Sequence, residues 1–136
     1  MFANSYFQTY SEFMKNKKFE TESKVVFAAM SKRNFYLREH IIKFILNEGH
    51  TPTCAFMMYS YYLLDTAERC NLIRANNDLI KRSDELCVFE CISDGVQKEI
   101  DLAINLDMPI KYFKLENTGV KLVFHEVEKI NAVIEV

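Results

Sequence analysis

A chain of 136 residues has the size of a single domain, and its hydrophobic content of 49% is typical of a globular protein rather than a disordered or fibrous one. The formal charge of -2 argues against a general nucleic-acid binder, which needs a basic face to neutralise phosphates. No stretch approaches the roughly 18 consecutive apolar residues of a membrane span, and residues 1–20 lack the continuous apolar segment of a signal peptide.

The first half of the chain predicts an added helix, a strand and a second helix. Residues 1–23 carry aromatic side chains at spacings of three and four before a polar link, which indicates an N-terminal helical extension. Residues 25–30, VVFAAM, form a continuous apolar run, as expected of a strand buried on both faces. An amphipathic helix over 34–50 should stop at Gly49, and residues 51–56 favour a weak second strand.

The second half continues the same alternation. The predicted elements are, in order, a helix over 66–83, the clearest strand over 85–92, a helix over 95–106 and a strand over 108–115. Thr66 is the predicted N-cap of the first helix. The tail from Gly119 begins with a strand pattern and ends as a helix or a further strand, and the sequence leaves both open.

Alternating strands and helices predict a parallel sheet covered by helices. The predicted fold is α/β, a three-layer sandwich with a mainly parallel sheet of four or five strands, flavodoxin- or Rossmann-like. The single domain comprises a helical extension over 1–23, a core over 24–115 and a C-terminal extension over 116–136.

The cysteines predict neither disulfides nor a metal site. The chain has four, Cys54, Cys70, Cys87 and Cys91. They form no Cys-x-x-Cys pair, and the three histidines are not spaced with them as zinc ligands are. Because Cys87 and Cys91 bracket VFE in the predicted strand, we interpret them as small core residues. We expect no metal, no other cofactor and a reducing cytoplasm.

Two loops should lie at the carboxyl ends of the strands, where ligands bind in such sheets. One is SKRN, residues 31–34, and the other is SDG, residues 93–95. Ser31, Lys32 and Arg33 precede a predicted helix, whose N-terminus favours an anion such as a 5'-phosphate. The alternative is a solvated basic turn. The sequence has no Gly-rich phosphate loop, which argues against a dinucleotide site or an ATPase.

Glu99 is the most unusual residue of the following helix, because it lies at the margin of the apolar stripe. A carboxylate screened by apolar groups is disfavoured as an anion unless donors reach it. The alternative is a solvated flank residue that pairs with Lys98 or another lysine. Asp94 and Gln97 also match a helix-capping pattern, which gives Asp94 a structural explanation.

Residues 76–113 begin NNDLIKRSDELCVF and continue through ECISDGVQKEIDLAI. This segment resembles the central part of the nucleoside 2-deoxyribosyltransferase superfamily, including its nucleotide N-hydrolase and uncharacterised small members. The matched features are an Asn-Asn-Asp-Leu run, an Asp that opens an apolar strand, an Asp-containing loop and a Glu-hydrophobic-x-x-Ala helix start. With the first strand, loop and helix, the resemblance covers about residues 24–113.

The resemblance implies that Glu99 is a nucleophile that attacks the anomeric carbon of a 2-deoxyribonucleoside or its 5'-monophosphate. Asp94 and Asp78 match the acidic surroundings of that nucleophile. Ser93, Gly95 and Asn77 are predicted to bind the substrate. Three departures stand out: the loop before Glu99 is short, Asp78 reaches the site only if its helix breaks near residues 76–77, and the tail does not match the segment that completes a neighbour's site.

The leading prediction is therefore cofactor-free cleavage or transfer at an N-glycosidic bond. The alternative is a non-catalytic nucleotide-binding or structural homo-oligomer on the same fold. Residues 54–64, rich in Met and Tyr, predict a homodimer or higher oligomer, although their Tyr59, Tyr61 and Tyr62 could instead stack on a base. The three histidines, His40, His50 and His125, are scattered, and we interpret them as surface or capped residues.

Overall fold

The computed structural model describes residues 23–55 and 61–129. Five strands are present there: β1 Val25–Ala29, β2 Thr51–Thr53, β3 Glu85–Phe89, β4 Ile110–Asn117 and β5 Leu122–Val127. The α-helices are α1 Arg38–Asn47, α2 Tyr61–Thr66, α3 Arg69–Lys81 and α4 Asp94–Asn105, and a 3-10 helix, Lys32–Leu37, leads into α1. The predicted N-terminal helix and residues 56–60 of the predicted interface lie outside the described residues.

The strands form one mixed sheet in the order β2-β1-β3-β4-β5. The first four are parallel, and β5 runs antiparallel to β4. The predicted α/β class and the mainly parallel sheet are therefore confirmed. The antiparallel strand forms a hairpin in which Gly119, with a φ of 84°, provides a left-handed turn residue.

Alternate strand residues enter two separate core clusters, which explains why the first and third strands read as continuous apolar runs. In β1, Phe27 and Ala29 belong to one cluster and Val26 and Ala28 to the other. The first cluster also contains residues of α3 and α4, here Ile80, Val96, Ile100 and Ala103. The second contains Ile41 and Ile45 of α1. Both faces of the sheet are thus apolar.

Several predicted boundaries are wrong, each for a local reason. Thr66 does not cap the long helix, because it ends α2, and Glu68 occupies the N-cap of α3. The strand predicted over 85–92 stops at Phe89, so Cys91 lies beyond it and is half-buried rather than a core residue. Cys87 is buried, as predicted.

The stop of the first helix is confirmed. Gly49 has a φ of 86°, and its N–H donates to the carbonyl of Leu46 at 3.0 Å. A residue with a Cβ would be strained in this conformation, so glycine is required by the backbone itself.

Within the described ranges, no helix is long and apolar enough to cross a bilayer.

Candidate functional site

The candidate site begins where the chain leaves β1 and β3, which are neighbours in the sheet. Their parallel register places Ala29 opposite Val88, so the two following loops lie side by side. From this point the chain goes to β2 on one side of the sheet and to β4 on the other. Such a reversal opens a crevice beyond the carboxyl ends of the strands, the usual ligand position in an open α/β sheet.

Asn34 and Glu90 join the two loops to the next strand. The Asn34 side-chain amide donates to the backbone carbonyl of Glu90, and the Glu90 carboxylate accepts from the N–H of Leu115 at 2.7 Å. The carboxyl ends of β1, β3 and β4 are therefore held together by one glutamate. Neither residue was predicted as part of the site. Asn34 lies in the SKRN loop, and Glu90 directly follows the apolar run of β3.

The two predicted serines both cap helices. Ser31, only 2% exposed, accepts a hydrogen bond from the N–H of Arg33 at 3.1 Å. Ser93 accepts one from the N–H of Val96 at 3.3 Å at the start of α4. These bonds satisfy amides that a helix start leaves without partners. Each hydroxyl can still donate its own hydrogen to a ligand.

The charged residues of the two loops are exposed. Lys32 and Arg33 follow the end of β1, and Asp94 opens α4. The capping prediction for Asp94 is wrong, because the preceding Ser93 occupies the N-cap and leaves the aspartate as the first helical residue. At Gly95, an added Cβ would meet only the Ser93 hydroxyl oxygen, at 3.9 Å, so a ligand can approach the backbone closely there.

Glu99 lies one and a half turns into α4, half-buried, with Val96 and Ala103 buried on the same side of the helix. The side-chain amide of Asn76, on α3, donates to Glu99 Oε2 at 2.6 Å. Burial raises the pKa of Glu99 from 4.5 to about 7, although the Asn76 hydrogen bond lowers it. The alternative of a solvated residue paired with Lys98 does not hold, since the partner of Glu99 among the described residues is Asn76.

Asp78 and Asn77 are not brought to Glu99. The helix break near 76–77 that would bring Asp78 to the site is not present, because α3 runs without interruption from Arg69 to Lys81. At about 100° per residue, Asp78 lies about 200° around the helix from Asn76. Among the described residues, no hydrogen bond or ion pair joins Asp78 or Asn77 to Glu99.

Asn76, like Asn34 and Glu90, was not predicted as part of the site. It lies one helical turn before Ile80, which is fully buried, so it belongs to the buried side of α3. A polar side chain there needs a partner, since an unpaired buried amide costs roughly 1–3 kcal/mol. The spacing of the apolar residues on α3 therefore indicates that Asn76 is buried, whereas the resemblance through Asn-Asn-Asp-Leu led to Asn77 and Asp78.

The Glu99–Asn76 pair gives the carboxyl group two different oxygens. Oε2 accepts from the amide, and among the residues that the structure describes no hydrogen bond reaches Oε1. A carboxyl group with a pKa near 7 exists in both protonation states at neutral pH, which suits proton transfer or nucleophilic attack.

The titration of Glu99 tests this arrangement independently of any activity. In NMR spectra of side-chain carboxyl carbons, we expect Glu99 to titrate near pH 7 and Asn76→Ala to move its midpoint to higher pH, because the hydrogen bond that lowers the pKa is lost. Asn77→Ala is the matched control and should leave the midpoint unchanged. A midpoint near 4.5 in the unmodified protein would contradict the structure.

Within the described residues, no group of three or more His, Cys, Asp and Glu side chains could hold a metal ion. Fold and site define an α/β protein in which the loops after β1 and β3 lie side by side, with a half-buried glutamate on the helix that follows β3.

The chain belongs to the family described as a domain of unknown function, DUF7768, whose model matches residues 24–113. The matched range includes both loops, Asn76 and Glu99, and it ends within β4. No curated protein matches the sequence.

Proposed function

We propose that the protein cleaves or transfers at the N-glycosidic bond of a 2-deoxyribonucleoside or its 5'-monophosphate, with Glu99 as the nucleophile. The observation that carries this proposal is the half-buried Glu99 carboxyl group, held through one oxygen by Asn76 on the helix that follows β3. The resemblance to nucleoside 2-deoxyribosyltransferases puts a catalytic glutamate at this position.

The proposed reaction has two steps. In the first, ionised Glu99 Oε1 attacks the anomeric carbon, the carbon–nitrogen bond breaks, and its electron pair leaves with the base, which takes up a proton. In the second, water or another base attacks the same carbon, loses a proton, and releases Glu99 from the ester. Asn76 supports both steps, because its bond to Oε2 fixes the direction of Oε1.

Asp94 is the better placed of the two aspartates to help the base depart. It lies at the loop after β3, about 7.5 Å along the axis of α4 from Glu99 and about 140° around it. A substrate that contacts both must therefore lie across the helix start, over Gly95. Asp78 has no such relation to the loops, so we assign it no step.

The loop after β1 is proposed to bind a 5'-phosphate. Lys32 and Arg33 are exposed beside the buried cap Ser31. The neighbouring contact from Asn34 to the Glu90 carbonyl links this loop to the loop after β3. A phosphate on Lys32 and Arg33 would thus orient the sugar of the same substrate toward α4.

We also propose a three-layer fold, a cytoplasmic location and an oligomeric assembly. The two apolar faces of the sheet, with α1 on one and α3 and α4 on the other, support a three-layer arrangement of the flavodoxin type. A cytoplasmic homodimer or higher oligomer remains our proposal for the assembly. Of residues 54–64, on which the interface was predicted, 56–60 are outside the described ranges.

The deciding experiment is incubation with paired 2-deoxyribonucleosides and their 5'-monophosphates, with the released base followed by chromatography. We expect base release without added metal, and faster release from monophosphates if the β1 loop binds phosphate. Addition of a second free base separates transfer from hydrolysis, because transfer yields a new nucleoside. Saturable nucleotide binding without release would favour the non-catalytic alternative, and neither binding nor release would reject the proposal.

A further inference from the structure

A cavity of about 280 Å³ lies at the opposite end of the sheet from the candidate site. It opens near the amino ends of β1, β3 and β4, on the face covered by α1, whereas Glu99 is on the other face. Its volume is slightly below the roughly 300–1,000 Å³ of small-molecule sites. A ligand there would be small and would not compete with a substrate at Glu99.

Glu85 gives this cavity a buried carboxylate, one oxygen of which accepts no hydrogen bond among the described residues. Its side chain is 2% exposed, and its Oε1 receives no hydrogen bond within the described part of the chain. Lys111 Nζ lies 3.5 Å from Oε1 and Lys24 Nζ lies 3.8 Å from Oε2, distances of ion pairs rather than of charge-assisted hydrogen bonds. A buried charged acceptor in this condition is stabilised by any donor that enters the cavity.

The charges around the cavity favour a cationic donor. Glu48 and Glu126 also line it, so among the described lining residues three carboxylates accompany one ammonium group, that of Lys111. The same charges act on the thiol of Cys87, whose pKa is raised to about 12, first by burial and then by Glu85. Glu126 and Glu48 raise this pKa further, and Lys111 lowers it.

The histidine of the lining, His50, accepts a backbone N–H from Lys24 through Nδ1 at 3.3 Å. Nδ1 is thus occupied by the backbone. Among the described residues, Glu48, Glu85 and Glu126 outnumber Lys24 and Lys111 around the cavity.

Part of the cavity lining is aromatic. Phe44 stacks on Phe124 with ring centroids 4.3 Å apart, and Phe113 meets Phe44 edge-on at 5.1 Å. All three line the cavity. Phenylalanine faces attract cations and bury apolar groups, so this part of the lining fits the body of an organic ammonium ion rather than a metal ion.

We propose that this cavity is a second ligand site, which binds a small primary ammonium compound with an apolar or aromatic body. The ammonium group donates to Glu85 Oε1 and faces Glu48 and Glu126, and the body packs against Phe44, Phe113 and Phe124. The three N–H donors of an ammonium match this set of acceptors. The site is independent of the function proposed for Glu99.

The test compares three probes of one shape and different charge: benzylamine, benzyl alcohol and benzoate. Binding is followed on the full chain by calorimetry and by amide chemical shifts. We expect benzylamine to bind at least about tenfold more tightly than the other two, as a charge-assisted bond requires. The shifts should centre on Cys87, Lys111 and Phe113, and should leave Glu99 unchanged.

Two variants separate the charge from the shape. Glu85→Gln should weaken benzylamine binding about tenfold, and Glu126→Gln, at an exposed position, about two- to fivefold. Should Glu85→Gln fail to fold, Glu126→Gln and the three probes on the unmodified protein decide the question. Equal binding of benzyl alcohol, tighter binding of benzoate, shifts centred on Glu99, or no saturable benzylamine binding up to about 10 mM would each overturn the proposal.

Discussion

Replacing Glu99 with glutamine is expected to lower base release by about a thousandfold or more, because an amide does not form the glycosyl ester. The fold should be retained, since a glutamine carbonyl can accept the Asn76 hydrogen bond that Glu99 Oε2 accepts at 2.6 Å. The measurement is the rate of base release under single-turnover conditions, with the substrate that the panel of nucleosides and monophosphates identifies.

Asp101→Asn is the matched control for this variant. Asp101 lies two residues further along α4, is exposed, and accepts a hydrogen bond from Gln97 at 3.0 Å. Its replacement removes one negative charge from the same helix, yet should leave base release within about twofold of the unmodified rate. Undiminished release by Glu99→Gln would exclude Glu99 as the nucleophile, and equal loss in both variants would indicate a general effect of charge on the helix.

The order and type of the central elements could be predicted because burial on both faces leaves a direct trace in the sequence. The runs VVFAA and ELCVF are β1 and β3, and their residues divide between two apolar clusters. The strand pattern at the start of the tail is β5, which is half-exposed and so leaves a weaker trace. The end of the tail, where the sequence allows a helix or a further strand, lies outside the described residues from 130 onward. The Gly119 turn between two apolar segments was the available hairpin signal.

The site was harder to predict, because its key contact joins two helices. The rule that ligands bind beyond the carboxyl ends of strands located both loops, and the helical wheel drew attention to Glu99. Neither rule gives the partner of Glu99, which depends on how α3 and α4 pack. The position of Asn76 one turn before buried Ile80 indicates a buried amide, but the 2.6 Å bond to Glu99 is a property of the tertiary structure.

The stability of the protein should carry the signature of Glu99 even without a substrate. Its carboxyl group has a pKa of about 7 in the folded chain, raised by burial from 4.5. Between pH 4.5 and 7 the folded state therefore retains a proton that the unfolded state has lost, and the stability that this proton represents falls as pH rises. Below pH 4.5 both states are protonated and the contribution is fully present.

Glu99→Gln removes this dependence, because glutamine does not ionise. At pH 8 the variant should be more stable than the unmodified protein by up to about 3 kcal/mol, the free energy that corresponds to a pKa raised from 4.5 to about 7. At pH 4.5 the difference should nearly vanish, since both side chains are then neutral and accept the same hydrogen bond from Asn76. Urea unfolding of the two proteins and of Asp101→Asn, at pH 4.5, 6 and 8, measures the effect. A gain that is independent of pH, or a gain equal to that of Asp101→Asn, would contradict a half-buried carboxyl group whose pKa is raised to about 7 by burial.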